Sequence, residues 1–172
     1  MPSIKSLLLC ATGTLAFTGF TQIETDISAI DKNIQTLTTQ ATSYTGGLTD
    51  GLAILNSLSN IYSSFMQGAT DASDLPASFS ESDAQSLIDY TNSTVLVDST
   101  TAVKTLEGKK EHFQEVQLAG SVATALSDLL AGHQKFTEQV VQRTPENLTA
   151  DAMSVLDLII EVLKDGIAFF EN

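Results

Sequence analysis

The sequence predicts an all-α protein, an antiparallel bundle of four to five amphipathic helices. Three observations carry that expectation. In residues 23–44 the apolar positions are Ile23, Ile27, Ile30, Ile34, Leu37, Ala41 and Tyr44, spaced alternately by four and three, with mostly polar residues between them. That is the period of one helix face and not the period of two that a strand requires. No other run reads as strand or hairpin, and Gly-, Pro- and Ser-containing breaks divide the remainder into segments of helical length with apolar stripes of their own. A helix with so narrow a seam is marginal alone in water and must lay it against other helices.

Residues 1–20 are set apart. Lys5 is the single charge before an apolar stretch over 7–20 with small residues near its end, the pattern of a secretory signal peptide too short to span a bilayer. Cleavage after Ala16 or Thr18 would leave small residues at the last and third-last positions. Cys10, the only cysteine, lies inside this leader, and Leu9 before it does not suit a bacterial lipoprotein signal. The mature chain, 21–172, is therefore expected to be one domain without disulfide or thiol chemistry.

The first helix ends at Thr45-Gly46-Gly47, a stop and tight turn. A second is expected over 48–67, with Leu48, Ile54, Leu55, Leu58, Ile61, Tyr62, Phe65 and Met66 on one broad face, followed by a loop over 68–79 that contains Pro76. Ser80-Glu81-Ser82-Asp83 opens the third helix with a capping serine and an acid three residues on, and Phe79 is placed to staple the entry. Its stripe runs through Ala84, Ile88, Thr91, Val95, Ala102 and Leu106, and the β-branched run over 94–101 predicts a kink or break. Lys109-Lys110 leads into a fourth helix over 112–143, whose inner face reads Val116, Ala119, Val122, Ala123, Leu126, Leu130, His133, Thr137 and Val140. Thr144-Pro145-Glu146 is a helix start with threonine as cap and proline at the first helical position. The fifth helix continues to about Phe170 through Leu148, Ala152, Val155, Leu156, Ile159, Ile160, Leu163 and Ile167, and is expected to be the most central.

Composition narrows the function. With 172 residues, 42% hydrophobic and no Trp, the chain can build a moderate, mainly aliphatic core. A formal net charge of −13 argues against nucleic acid and anionic membrane surfaces as partners. Ser121 is not flanked by the spaced glycines of a nucleophile elbow, and neither a phosphate loop nor a dinucleotide fingerprint is present. His112 and His133, if on one continuous helix, would be about 30 Å apart and could not share a metal. No catalytic residue, metal site or cofactor is assigned.

Polar groups on otherwise apolar stripes are the remaining signal. Thr91, Ser99, His133 and Thr137 either bond neighbouring backbone, as buried polar groups usually do, or hold the polar head of an apolar ligand in a cavity. The apolar lining of such a cavity would come from Leu55, Leu58, Tyr62 and Phe65 of the second helix, Val122, Leu126 and Leu130 of the fourth, and Val155, Ile159 and Leu163 of the fifth. Lys109-Lys110 either neutralises a helix C-terminus or anchors a carboxylate at a pocket mouth. Asn92-Ser93-Thr94 and Asn147-Leu148-Thr149 are N-glycosylation acceptors.

The order of segments resembles a known family. A leader is followed by Gln22-Ile23-Glu24-Thr25-Asp26-Ile27-Ser28-Ala29-Ile30-Asp31, a Gly-Gly break, a second apolar helix and Phe79-Ser80-Glu81-Ser82-Asp83-Ala84. Gly108-Lys109-Lys110-Glu111-His112-Phe113 and Arg143-Thr144-Pro145-Glu146-Asn147-Leu148 then precede the last two helices. Over about residues 22–170 this resembles the fungal hydrophobic surface binding proteins, which include the cell wall galactomannoproteins. The resemblance implies a secreted helical domain, in or near the cell wall, that binds long-chain fatty acids or other lipids inside the bundle or adheres to hydrophobic surfaces. A homodimer is left open. The chain ends at Asn172 without the Ser/Thr-rich stalk and lipid-anchor signal of wall-bound relatives, so it resembles the freely secreted members. Lipid carriage, interfacial adhesion with recruitment of secreted enzymes, and a structural wall glycoprotein with a filled core are the three readings. An elongated apolar cavity flanked by the second, fourth and fifth helices would favour the first.

Overall fold

The computed structural model describes residues 11–75 and 78–172, with side chains from Phe20 onward. The first half of the expected leader, with Cys10, and Pro76 of the expected loop lie outside the described residues. The elements are α1 (Ala11–Ser43), α2 (Leu48–Ser73), α3 (Glu81–Tyr90), a π-helical turn (Thr91–Val95), α4 (Leu96–Glu107), α5 (Lys110–Glu115), α6 (Ala119–Val141) and α7 (Glu146–Glu171). Among the described residues there is no strand, and no helix is long and apolar enough to cross a membrane.

The seam of α1 is buried along its whole length, from Ile23 at 0% exposure to Tyr44 at 2%. Gly46 and Gly47 then turn the chain at φ of 108° and 97°, a left-handed geometry that a residue with a Cβ rarely adopts. α2 continues past the expected stop at 67 because Ala69 and Ala72 prolong its stripe into the core. Leu48, by contrast, is exposed on the first residue of that helix, beyond the edge of the core. Ser80 caps α3 by accepting a hydrogen bond from the Asp83 N–H at 3.1 Å, and Phe79 is buried beside it.

Three further boundaries differ from expectation. The irregularity in the third helix is a π turn over Thr91–Val95, and α4 is regular through most of the β-branched run. A widened turn takes up the mismatch without breaking the rod. The expected fourth helix is two pieces, because Gln117 adopts φ of 60° between α5 and α6. Pro145, not Thr144, occupies the cap position of α7, and the Thr144 hydroxyl donates back to the Val140 carbonyl of α6.

The helices close into a ring. α1 packs against α2 and α4, α2 against α6, α6 against α7, and α7 against α4. Successive rods run antiparallel, but five rods cannot alternate around a circle, so α2 lies parallel to α6, and α4 parallel to both α1 and α7. Small residues permit the close α2–α6 approach: a Cβ on Gly132 would lie 2.9 Å from the Tyr62 ring, and one on Gly68 2.9 Å from the Phe136 ring. In a ring no helix is central. The broad apolar face of α7 therefore spreads from Ile159 and Leu163, which are buried, to Met153, Leu158 and Phe169, which are exposed.

The two ends of the ring differ. At one, Tyr44 stacks on Phe113 with centroids 4.8 Å apart, and Phe113 meets Phe170 edge-on at 6.1 Å. Lys109 Nζ donates to the carbonyls of Thr42 and Tyr44, and Lys110 Nζ to that of Phe169, so both lysines cover C-terminal carbonyls of α1 and α7. At the opposite end Arg143 donates to the carbonyls of Ser73, Leu75 and Gln139, and its own carbonyl accepts from the Phe79 N–H. That end holds the larger interior space.

Candidate functional site: an apolar cavity on the axis of the ring

Two cavities lie in series along the bundle axis. The larger, about 50 Å³, is nearer the Arg143 end and has walls from five helices: Ile27 and Ile30 of α1, Phe65 of α2, Leu87 and Ile88 of α3, Phe136 and Val140 of α6, and Ala152, Val155, Leu156 and Ile159 of α7. The smaller, about 20 Å³, is bounded by Ile34, Leu58, Ser99, Val103, Leu126 and Leu163 among others. Phe65 and Ile159 belong to both linings and form the partition between them. The larger space exceeds what one water needs, yet falls well short of the roughly 150 Å³ that accommodates benzene in an engineered core. An acyl chain therefore enters only if a wall moves. α3 is the thinnest wall, packed mainly against α7 and its own π turn.

Among the described residues no charged side chain lines the larger cavity; its polar lining is Thr91, His133, Thr137 and Thr144. His133 is 2% exposed and neither Nδ1 nor Nε2 has a hydrogen-bond partner. Its ring meets Phe65 edge-on at 5.5 Å. Burial lowers its pKa to about 4, so the imidazole is neutral at physiological pH. One turn along α6, the Thr137 hydroxyl is buried and also unpartnered. Thr91, half-buried, faces the cavity from the π turn.

The expected site residues thus divide. Phe65, Val155, Ile159, Thr91, His133 and Thr137 surround the larger cavity. Leu58, Leu126, Leu163 and Ser99 surround the smaller one, with Phe65 and Ile159 shared. Leu55 and Tyr62 lie instead in a groove between α2 and α6 that includes Ala125 and Asp128, at the rim of the ring rather than on its axis. Val122 is packed in the core and Leu130 is half-buried against it. The cavity walls also include α1 and α3, which the expected trio of helices left out. Lys109 and Lys110 are at the other end of the ring, engaged by carbonyls. Asn92 and Asn147 are exposed.

Two features lay outside the sequence reading. Leu87, Phe136, Thr144 and Ala152 join the lining, brought there by ring closure between distant segments. Asp26 and Asp31, flanking the α1 seam, are buried with one carboxylate oxygen each unpartnered. Burial raises the pKa of both, and neighbouring Asp71 and Asp98 respectively push in the same direction. His112 and His133 belong to separate helices, so a distance reckoned along one straight rod does not apply to them. Among the described residues no group of three His, Cys, Asp or Glu side chains is placed to hold a metal ion.

Fold and site together define an all-α ring with an apolar interior and two stranded polar groups inside it. The chain belongs to the hydrophobic surface binding protein A family, whose sequence profile matches residues 20–142. Ligand binding domain 1 of the Penicillium marneffei MP1 protein, solved in complex with arachidonic acids, superposes with a TM-score of 0.83 at 17% identity, over 88% of this chain and 98% of that one. Domain 2 of the same protein, complexed with multiple arachidonic acids, gives 0.82 at 20% identity over 87% and 94%. AFMP4P in complex with palmitic acid gives 0.80 at 21% identity over 90% and 99%. At these identities the likeness shows a common fold. No protein of curated function matches the sequence.

Proposed function

We propose that this protein is a secreted, non-enzymatic carrier or sequestering protein for long-chain fatty acids or related lipids, held within the helical ring. One observation carries the reading: two unpartnered polar side chains, His133 and Thr137, face a cavity on the bundle axis whose walls are mostly apolar. Pockets for apolar ligands pair such walls with a few placed polar groups. The acyl chain would take the place of the axial void, with Phe65 and Ile159 swinging aside to join its two parts. Thr91 and Ser99 add hydroxyls along the same path. The fatty acids named for MP1 and AFMP4P, which share the fold, support the ligand class.

The magnitude is adequate. Burying about 14 methylenes at roughly 0.8 kcal/mol each gives about 11 kcal/mol of gross driving force. Association and wall movement subtract several kcal/mol, which leaves micromolar or tighter binding. Displacement of a fluorescent fatty acid from delipidated protein tests the reading. Saturable displacement by palmitic acid at a fixed small stoichiometry is expected; no displacement, with no lipid in native mass spectra, overturns it.

Adhesion to hydrophobic surfaces is the second reading. Leu48, Leu52, Val97, Met153, Leu158 and Phe169 are exposed on α2, α4 and α7, and the family's description points the same way. Adsorption to a hydrophobic polymer without saturable lipid binding would favour it. Association with the cell wall, glycosylation at Asn92 or Asn147 and pairing into homodimers are further parts of the proposal.

A further inference from the structure

We infer that the cavity takes its ligand as a free acid together with one proton, which the carboxyl group shares with the imidazole of His133 while the Thr137 hydroxyl donates to the second carboxyl oxygen. This rests on the lipid-binding reading and says what form of lipid the site selects.

The cavity supplies no fixed charge. Its linings from α1, α2, α3, the π turn, α6 and α7 contain no acid, lysine or arginine. Asp26 and Asp31 on α1 engage Gln22 and Gln35, outside this lining, and the Gln35 amide also donates to Asp98. Among the described residues, His133 is therefore the one titratable group on the cavity wall. A bare carboxylate transferred there would be an unpaired charge in an apolar medium, which is strongly unfavourable. A carboxylate and an imidazolium together are neutral overall, as are a carboxylic acid and an imidazole. Either form has one more proton than the separate partners hold at neutral pH, when the acid is ionised and His133 is not.

The proton comes from solvent, and it sits between a carboxyl oxygen and one ring nitrogen. No covalent bond other than that to the proton changes. Thr137, one turn away and unpartnered, presents an O–H to the remaining oxygen. An ester cannot share a proton in this way, and an alcohol brings no ionised group that needs one, so the head groups make the site selective for unesterified acid.

Proton uptake fixes a pH dependence. Above the carboxyl pKa of about 4.3 the ligand is ionised, and binding that consumes one proton weakens about tenfold per pH unit until the complex itself loses that proton. Dodecanoic acid, titrated into the delipidated full chain by calorimetry in two buffers of different ionisation enthalpy at pH 6, measures the uptake directly. Close to one proton per bound acid is expected, with affinity falling tenfold between pH 5.5 and 6.5. His133→Leu should weaken binding of the acid about ten- to hundredfold, because the proton then stays on a carboxyl group with no ring nitrogen to share it, and should leave the affinity for methyl dodecanoate within about twofold. Thr137→Val should weaken binding about two- to tenfold at every pH and leave the slope intact, the range of one neutral hydrogen bond. Methyl dodecanoate should bind without proton uptake and more weakly than the acid at pH 5.5. Binding of the acid with no uptake, or with an affinity that His133→Leu leaves unchanged, overturns the inference and leaves lipid binding standing. Absence of binding by acid and ester alike at every pH overturns the lipid-binding reading as well.

Discussion

Replacing His133 by leucine should stabilise the empty bundle. The imidazole is buried with both nitrogens unpartnered, and an unmet polar group of this kind costs about 1–3 kcal/mol. Leucine is close in volume and removes that cost. It also loses the edge-on contact with Phe65, worth about 0.5–1.5 kcal/mol. The net gain at pH 7.5 is about 1 kcal/mol, or roughly 2–4 °C in Tm for a domain of this size. Acid widens the gap. The folded pKa of His133, about 4, lies below its unfolded value of 6.5, so the unfolded chain binds the extra proton first and stability drains as pH falls between those values. From the two pKa values, the wild type loses about 2–3 kcal/mol through this group by pH 4.5, which the variant does not. Every other titrating group is common to the two proteins and cancels in the comparison. Urea unfolding of both delipidated proteins at pH 7.5 and 4.5 measures the difference at each pH. A variant less stable than wild type at both, or a gap that fails to widen in acid, would refute the assignment of His133 as a stranded neutral imidazole.

Three further outcomes follow from the geometry. Phe65→Ala should merge the two axial cavities and cost about 3–5 kcal/mol in the empty protein, with palmitic acid restoring more Tm to the variant than to the wild type; equal ligand-induced shifts would contradict the partition. Arg143→Ala removes charged donors from the carbonyls of Ser73 and Leu75 and should cost about 2–3 kcal/mol. Amide exchange should then quicken first over 78–90, and uniform quickening would show that Arg143 does not fasten that end. Asp31→Asn should be more stable than wild type near pH 7. Burial raises the folded pKa of Asp31, so the folded chain holds its proton more tightly and the wild type gains stability as pH falls through that raised value; the advantage of the variant should shrink toward pH 4, and a constant or growing advantage would contradict this.

How much was legible in the sequence depended on whether the relevant force acts along one helix or between several. The α1 seam was fully legible, because isoleucines at spacings of four and three have one face to occupy, and all are buried. His133 and Thr137 were legible as polar interruptions of an apolar stripe. Leu55 and Tyr62 were misplaced because periodicity identifies a face without saying which edge of it meets the axis; in the ring that edge meets α6. Thr144 and Ala152 sit near the entry of α7 and were read as start signals and stripe, but their place beside His133 follows from ring closure, which no local pattern encodes. The burial of Asp26 and Asp31 was hidden for a similar reason. Each lies one residue away from a seam position, and neighbouring helices pack beside it: α2 by Asp26, and α3 and α4 by Asp31.

The location of the bound chain tests the account most directly. Diffraction at the bromine edge from crystals grown with a terminally brominated long-chain fatty acid would place its far end. The account predicts an anomalous peak on the axis of the ring, among residues such as Ile30, Leu58, Phe65 and Ile159, with the carboxyl group beside His133. A peak on the exposed faces of α4 or α7, with the interior unchanged, would contradict it.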